Sequence, residues 1–460
     1  MEINIAGAGA GKTTKMSDKI IVCYNTTENY KNIYCITFTN NAVSCIDKKL
    51  REHFGKIPDR IIVSTIHSFL YQEFIKPYYY LLFSDSFDTI STIKLPDNSK
   101  YKNAKIKELK DGNILHISQF SQIAKWVLVK KSTDRKRERE IRKNILNVFS
   151  KYCAKIFIDE VQDIDENVQE IIQKFNSEGI AIEMMGDPKQ DLKGFNCLRT
   201  LIDLYPQDVI YINECHRCPQ SHLNISNCII SIKEQQVADE SIVEGECQIV
   251  FESEIEVEEF INNGKFDLKY ISEKSDIYDT HENKENTEKF ATLYYELRRI
   301  MSEIFSIRSE LTINKSAYYY AGKMIKEYAE NSDANKVIWK NIPFIKGNKQ
   351  YYARIINALK MTQQENEKCI SVNSIDSIKG QEGNNCLFIL TTDLAAYLFK
   401  QKVEENRTKN KLYVALTRSK NKLTFLITKA VEDKYGKNYI SNEIAKMKNR
   451  ESIDFDQQQL

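Results

Sequence analysis

The chain alternates short apolar runs with longer stretches in which apolar residues recur at helical spacing. The apolar runs are "IYCITF" (33–38), "RIIVSTI" (60–66), "AKIFID" (154–159) and "GIAIEMMG" (179–186), and "MEINIA" at the start alternates like a strand. Buried strands separated by helices are typical of an α/β fold with a parallel sheet. Ligands of such sheets bind at the carboxyl ends of strands, so the polar residues that follow these runs are candidates for function.

The first run leads into a glycine-rich loop, "AGAGAGKTT" (6–14), which is typical of a phosphate-binding loop (P-loop). In such a loop backbone amides surround the phosphates, the lysine reaches the β- and γ-phosphates, and the next hydroxyl holds Mg²⁺. Ala6 stands where the strict pattern has glycine. The loop therefore predicts ATP and Mg²⁺ as cofactors. The predicted nucleotide-binding residues are Ala8, Gly9, Ala10, Gly11, Lys12, Thr13 and Thr14.

Two further runs end in residues suited to nucleotide hydrolysis. "KIFIDEVQD" delivers Asp159 and Glu160 to the end of a strand. Asp159 is predicted to hold Mg²⁺ with Thr13, and Glu160 to orient and deprotonate the attacking water. "MMGDPKQ" ends another strand with Asp187 and Gln190, a polar pair placed to sense the γ-phosphate.

Composition narrows the class of protein only a little. A chain of 460 residues exceeds the usual length of one domain. Its 66 basic and 64 acidic residues leave a formal charge of +2, which neither supports nor excludes a nucleic-acid partner. The 11 cysteines form no repeating framework, and no signal peptide or membrane-spanning run is apparent. We therefore expect a cytoplasmic protein without a membrane partner.

Taken in order, the motifs resemble those of superfamily 1 helicases of the UvrD/Rep/PcrA type. Any one of them could arise by chance, but the whole series in the family's order could hardly do so. After the P-loop come "TFTNNA" (37–42), "STIHSF" (64–69), "DEVQD" (159–163), "GDPKQDLKGF" (186–195), "NECHRC" (213–218), "SIDSIKGQE" (374–382) and "YVALTRSK" (413–420).

This resemblance implies an α/β fold of two RecA-like P-loop lobes with parallel sheets, plus reduced, mainly helical accessory subdomains. The stretches "NTEKFATLYYELRRIMSEIF" and "SAYYYAGKMIKEYAEN" carry apolar residues at helical spacing and would form the insertion of the second lobe. The predicted segments are 1–69 and 145–205 for lobe 1, 70–144 for its insertion, 206–270 and 346–460 for lobe 2, and 271–345 for the insertion of lobe 2.

The resemblance also assigns roles to individual residues. Arg217 and Arg418 resemble the two arginines that reach the γ-phosphate from the second lobe, where such a residue contributes about 10³–10⁵-fold in rate. Glu382 resembles the residue that hydrogen-bonds the ribose. The predicted catalytic set is Lys12, Asp159, Glu160, Gln190, Arg217 and Arg418.

On the DNA side, Phe195 aligns with an aromatic that stacks on a base, although an ordinary core aromatic is the alternative. The residues that match the strand-binding face are Thr37, Thr39, Asn40, His67 and Phe69. Four positions depart from the family pattern: Lys193 replaces an aromatic, Asn196 an arginine, His216 a tyrosine and Asp376 a histidine. We interpret these as altered DNA handling. Only five residues precede Ala6, so we expect no adenine-reading glutamine motif and weak base selectivity.

Two functions of different class remain open. The first is an ATP-dependent DNA helicase or translocase that moves 3′-to-5′ on single-stranded DNA. The second is a DNA-responsive regulatory ATPase that licenses a partner nuclease without processive unwinding. The short insertions resemble the helicase-like subunits of Gabija-type antiphage defence, which work beside an OLD-family nuclease. Either function implies single-stranded or tailed duplex DNA as a partner.

A zinc site is a weaker alternative for one cluster. Cys215, Cys218, His222 and Cys228 provide a C-x₂-C pair followed by two more potential ligands. Arg217 lies inside that spacing and belongs to a helicase-like motif, so an incidental arrangement is the favoured interpretation.

Overall fold

The computed structural model describes residues 1–93, 95, 98–132, 134–280, 282–305, 308, 310–331, 333–360 and 370–450. These residues form two compact units. Unit 1 comprises Met1–Val257, Asn263–Leu268 and Lys379–Leu460, and unit 2 comprises Glu258–Asn262 and Lys269–Ile378. This division differs from the six segments expected from the sequence, whose bounds stay a prediction.

The first 212 residues of unit 1 are organised around a parallel six-stranded sheet with the order β3-β2-β6-β7-β1-β8, while β4 and β5 pair with each other. The sequence-predicted strands 33–38, 60–66, 154–159 and 179–186 are confirmed as β2, β3, β6 and β7. The strands are β1 (Glu2–Ala6), β2 (Asn32–Thr37), β3 (Ile61–Thr65), β4 (Thr89–Ser91), β5 (Ile114–His116), β6 (Cys153–Ile158), β7 (Ile182–Gly186) and β8 (Val209–Ile212).

Both faces of this sheet are buried, because alternate residues of β2 enter different cores. Tyr34 and Ile36 belong to one apolar cluster, and Ile33 and Cys35 to another. A π-helical turn at Tyr71–Ile75 joins α3 to α4. The helices are α1 (Lys12–Thr26), α2 (Asn40–Phe54), α3 (Ile66–Leu70), α4 (Lys76–Phe83), α5 (Ser99–Asp111), α6 (Phe120–Leu128), α7 (Lys136–Tyr152), α8 (Glu166–Ser177) and α9 (Cys197–Leu204).

The remaining elements of unit 1 that precede residue 257 are β9 (Glu214–Cys215), α10 (Gln220–Asn227), β10 (Val237–Ala238) and β11 (Glu246–Phe251). Strands β9 and β10 pair in parallel through Glu214–Val237 and Cys215–Ala238. This short pair lies at the start of the "NECHRC" segment, which carries Arg217.

Unit 2 is mainly helical, and its apolar core is built mainly by the helices between residues 282 and 360. The stretches 286–305 and 316–331, in which apolar residues recur at helical spacing, are confirmed as helical by α12 (Glu282–Ile304) and α13 (Glu310–Asn331). Two short parallel pairs, β12–β15 and β13–β14, complete the unit. The elements between residues 257 and 374 are α11 (Val257–Asn263), β12 (Leu268–Ile271), β13 (Tyr278–Asp279), α12 (Glu282–Ile304), α13 (Glu310–Asn331), α14 (Ala334–Asn341), α15 (Lys349–Lys360), β14 (Ile370–Ser371) and β15 (Asn373–Ser374).

The C-terminal part of unit 1 contributes a second parallel arrangement, in which β17 lies between β11 and β16. The elements are β16 (Gly383–Leu390), α16 (Thr392–Leu398), α17 (Arg407–Leu416), β17 (Ser419–Ile427), α18 (Lys429–Tyr435) and α19 (Lys437–Lys448). The predicted α/β class with parallel sheets is confirmed. Within the described part of the chain, every helix is too short or too polar to span a membrane.

Candidate nucleotide and DNA sites

The glycine-rich loop joins β1 to α1. Strand β1 ends at Ala6, and α1 begins at Lys12 after Gly11, whose φ of 70° is left-handed, as is the φ of 73° at Gly9. Glycine adopts this backbone without strain. The Lys12 ammonium donates to the carbonyl oxygens of Ala6 and Gly7, both at 3.4 Å. The loop thus opens onto the amide end of a helix, which favours a bound anion.

The two predicted catalytic carboxylates follow β6 directly. Asp159 is almost fully buried, and burial together with the neighbouring charge of Glu160 raises its pKa to about 7. Burial opposes ionisation of Glu160 too, but the charges of Lys12 and Lys379 outweigh it and lower the pKa. Glu160 has a φ of 54°, which a residue other than glycine rarely adopts and which is concentrated at functional sites.

These two carboxylates fit the ion expected from the sequence. Asp159 is buried beside a second carboxylate, and its raised pKa shows that holding a negative charge there is unfavourable. A bound cation would stabilise that charge. Carboxylate and hydroxyl oxygens are the ligands that Mg²⁺ prefers. Thr13 lies in the first turn of α1 and could supply the hydroxyl.

The segment after β7 holds a buried polar network. Gln190 Nε2 donates to Asp187 Oδ2 at 2.9 Å, and Lys189 Nζ lies 2.9 Å from Asp187 Oδ1. Burial disfavours the charge on Asp187, but the charges of Lys189 and Lys12 outweigh it and lower the pKa of that carboxyl. The amide of Gln190 is therefore held by an ionised partner.

Arg217 lies against the P-loop. A Cβ added at Gly9 would lie 2.5 Å from Arg217 Cβ, so only glycine leaves room for this approach. The Arg217 Nε donates to Glu382 Oε2 at 2.6 Å, and Lys420 forms a second ion pair with Glu382. The predicted arginine and the predicted ribose ligand are thus paired with each other.

Arg418 is buried, and its guanidinium donates hydrogen bonds to main-chain oxygens nearby. Its Nε donates to Val414 O at 2.9 Å and one terminal nitrogen donates to Gln381 O at 3.2 Å. The Arg217 guanidinium donates to Thr417 O at 3.5 Å, so the two arginines occupy neighbouring positions in unit 1. A direct role of Arg418 at a γ-phosphate stays a prediction.

An ion pair that the sequence analysis overlooked joins two of the motifs. Lys379 Nζ lies 2.7 and 2.8 Å from the two carboxylate oxygens of Asp163. Both residues lie inside motifs quoted above, "DEVQD" and "SIDSIKGQE", so the signal was present in the sequence. The charge of Lys379 also helps to keep Glu160 ionised.

A cavity of about 370 Å³ is lined in part by residues that were predicted to bind DNA. Asn40 and His67 contribute to its wall, whereas Thr39 caps α2 by accepting a hydrogen bond from Ala42 N at 3.2 Å. Thr37 is buried at the end of β2. The lining residues are Phe38, Asn40, Thr65, His67, Ser68, Tyr71, Gln72, Ile90, Ile117 and Phe120.

The two predicted aromatic contacts differ in burial. Phe69 lies in the hydrophobic core. Its ring is edge-on to those of Tyr34 and Phe74, with centroids 5.2 and 5.4 Å apart, so it is not available to a base. Phe195 is 45% exposed, which removes the alternative of a core aromatic. Lys193 Nζ lies 5.8 Å from the Phe195 ring centroid. An exposed ring beside a lysine is the arrangement used to bind single strands.

The cysteines of the zinc alternative make other contacts. Cys215 Sγ donates to Ala8 O at 3.1 Å, and His222 Nε2 is hydrogen-bonded to Glu246 O at 3.2 Å. Among the residues that the structure describes, the group of potential metal ligands that converges is Glu214, His216 and Asp239, not this set.

Comparisons with known proteins agree with the motifs. Residues 2–196 match the family model described as an AAA domain. The Gabija protein GajB of Bacillus cereus (strain VD045) is 30% identical over 189 residues, which is 41% of this chain and 36% of GajB. The ATP-dependent DNA helicase Rep of Buchnera aphidicola subsp. Schizaphis graminum (strain Sg) is 42% identical over 67 residues, 14% of this chain and 10% of Rep.

These matches support the resemblance of the chain to superfamily 1 helicases of the UvrD/Rep type. The resemblance predicted from the motifs, including the likeness to GajB, is confirmed. The chain aligns with about a third of GajB and a tenth of Rep. The arterivirus nonstructural protein 10 helicase is 10% identical with a TM-score of 0.36, covering 92% of this chain and 59% of that one, a score too low to establish a shared fold.

Proposed function

We propose that this protein is an ATP-dependent DNA helicase or translocase that moves 3′-to-5′ along single-stranded DNA. The observation that carries the proposal is the meeting, within unit 1, of Lys12, the Asp159–Glu160 pair and Arg217 around one glycine-rich loop. Lys12 and Arg217 are separated by about 200 positions, so their meeting depends on the fold. We place its site of action in the cytoplasm.

In this proposal ATP is the substrate, held by the loop amides and by Lys12. Thr13 and Asp159 would hold Mg²⁺, whose role is to neutralise phosphate charge. Glu160 accepts the proton of the attacking water, since neighbouring cations keep it ionised. Arg217 stabilises charge on the transferred phosphoryl group, and the Gln190 amide detects its loss. Glu382 contacts the ribose.

The proposed DNA surface joins the cavity near Asn40 and His67 to the exposed ring of Phe195. The phosphates of a single strand would contact polar groups and lysines of the protein, and its bases would stack on exposed aromatic rings. Phe69 is left out because its ring belongs to the core.

The second candidate is a regulatory ATPase that senses DNA and licenses a nuclease of the OLD family. The identity of 30% with the Gabija protein GajB favours this candidate. It needs the same nucleotide site, so the two candidates differ in whether ATP turnover separates strands.

One experiment tests both candidates. ATP turnover is measured without DNA, with single-stranded DNA and with a 3′-tailed duplex, and strand displacement is followed on the same duplex. A DNA-stimulated ATPase that displaces the strand supports the motor. Stimulation without displacement supports the regulatory ATPase. Turnover that is indifferent to every nucleic acid, or that survives Lys12→Ala, contradicts both.

A further inference from the structure

The peptide of Ala8, in the middle of the glycine-rich loop, is held from both sides by residues far along the chain. Ala8 N donates to the hydroxyl oxygen of Tyr413 at 3.0 Å, and the Tyr413 hydroxyl donates to Gln236 Oε1 at 2.8 Å. Gln236 Nε2 donates back to Ala8 O at 3.0 Å. The three bonds close a ring, which we call the Ala8 ring.

The Ala8 ring is buried, and its members bond one another. Ala8, Gln236 and Tyr413 are each at most 1% exposed. Each of the three donors, Ala8 N, the Tyr413 hydroxyl and Gln236 Nε2, has an acceptor in the ring, and Cys215 Sγ is a second donor to Ala8 O. Burial raises the pKa of Tyr413, which keeps its hydroxyl a donor. Loss of one member would leave buried polar groups without partners, which is costly.

The position of the Gln236 side chain also explains why residue 7, next to Ala8, is a glycine. A Cβ added at Gly7 would overlap the terminal amide of Gln236. Gly7, unlike Gly9 and Gly11, does not have a left-handed backbone, so an alanine there would meet the side chain without backbone strain. The loop is therefore shaped to accept Gln236.

The segments that supply the Ala8 ring also carry the arginines. Gln236 directly precedes β10, whose partner β9 leads into Arg217. Tyr413 lies in α17, five positions before Arg418. His216 N donates to Gly9 O at 2.9 Å, which ties the same region to the loop once more.

From this geometry we propose that Gln236 and Tyr413 are positioning residues of the nucleotide site. They hold the phosphate loop in the conformation that matches the placement of Arg217 and Arg418. The Ala8 amide donates to Tyr413, and the ring orients the loop amides that follow it. This inference rests on the proposed function, since it concerns ATP turnover by the same site.

The first test is Tyr413→Phe, which removes only the hydroxyl. We expect kcat to fall about tenfold or more, in line with an unsatisfied buried amide, while the Kd for ADP changes by less than about threefold because the phosphate donors remain. Tyr152→Phe is the matched control, because that hydroxyl donates to Glu73 at 3.1 Å, away from the loop. Unchanged kcat, or ADP affinity falling in parallel with it, overturns the proposal.

The second test is a steric cycle between Gly7→Ala and Gln236→Ala. Gly7→Ala should lower turnover and the thermal unfolding midpoint in the wild-type background. In the Gln236→Ala background it should have no further effect, because the atoms that the new Cβ would strike are gone. Gly112→Ala, whose added Cβ would make only ordinary contacts, is the control.

The cycle separates this inference from the proposed function. If the wild-type protein does not hydrolyse ATP, the proposed function fails, but the unfolding midpoints still show whether Gly7 and Gln236 are coupled. Equal effects of Gly7→Ala in both backgrounds, by turnover and by midpoint, would overturn the Ala8 ring itself.

Discussion

Glu160→Gln is the variant that most directly tests the chemistry. Glutamine keeps the shape of the side chain and can still accept the hydrogen bond that Gln162 donates to Glu160. The φ of 54° strains either residue equally, so folding should be unaffected. What changes is the negative charge that Lys12 and Lys379 stabilise.

The expected size of the effect follows from that loss. A positioned general base contributes about 10²–10⁴-fold, so kcat should fall by two to four decades. At about 1.36 kcal/mol per decade this raises the barrier by roughly 3–5 kcal/mol. ATP affinity should stay the same or increase, because one negative charge near the triphosphate is removed while Lys12 remains.

Phosphate release and binding of a fluorescent ATP analogue measure the two quantities separately. Glu52→Gln is the control, since Glu52 is exposed on α2 and its ion pair with Lys48, at 4.0 Å, is of a kind that contributes little. Turnover within threefold of the wild type would remove Glu160 from the role of base. Parallel loss of binding and turnover would mean that Glu160 supports the structure of the loop instead.

Two further predictions concern the DNA surface and the coupling of motifs. Phe195→Ala should weaken single-strand binding by about 1–3 kcal/mol, the value of one stacked base, while the DNA-free ATPase rate is retained; unchanged affinity in a fluorescence anisotropy titration would exclude Phe195 as a platform. Asp163→Asn and Lys379→Met should each destabilise unit 1, because each change leaves a largely buried charge unpaired. The double variant should lose roughly 1–3 kcal/mol less unfolding free energy than the two single losses added together. Additive shifts in denaturant unfolding would show that the pair is not coupled.

Local features of the chain were sufficient to predict much of this protein. The apolar runs at 33–38 and 154–159 are strands because a fully buried parallel strand must be apolar on both faces. The phosphate loop and the Asp159–Glu160 pair were found because each is contained in a few adjacent residues. The order of the motifs was enough to recognise the resemblance to superfamily 1 helicases, which the comparisons support.

Burial and long-range contact were decided only by the tertiary structure. Phe69 and Phe195 are both aromatics inside helicase-like motifs, yet one packs against Tyr34 and the other is exposed. Gln236 belongs to no quoted motif, and nothing near it in sequence indicates its bond to Ala8, 228 positions away. The physical reason is that a side chain's solvent exposure and hydrogen-bond partners depend on which distant segments pack around it, and local periodicity contains no record of those segments.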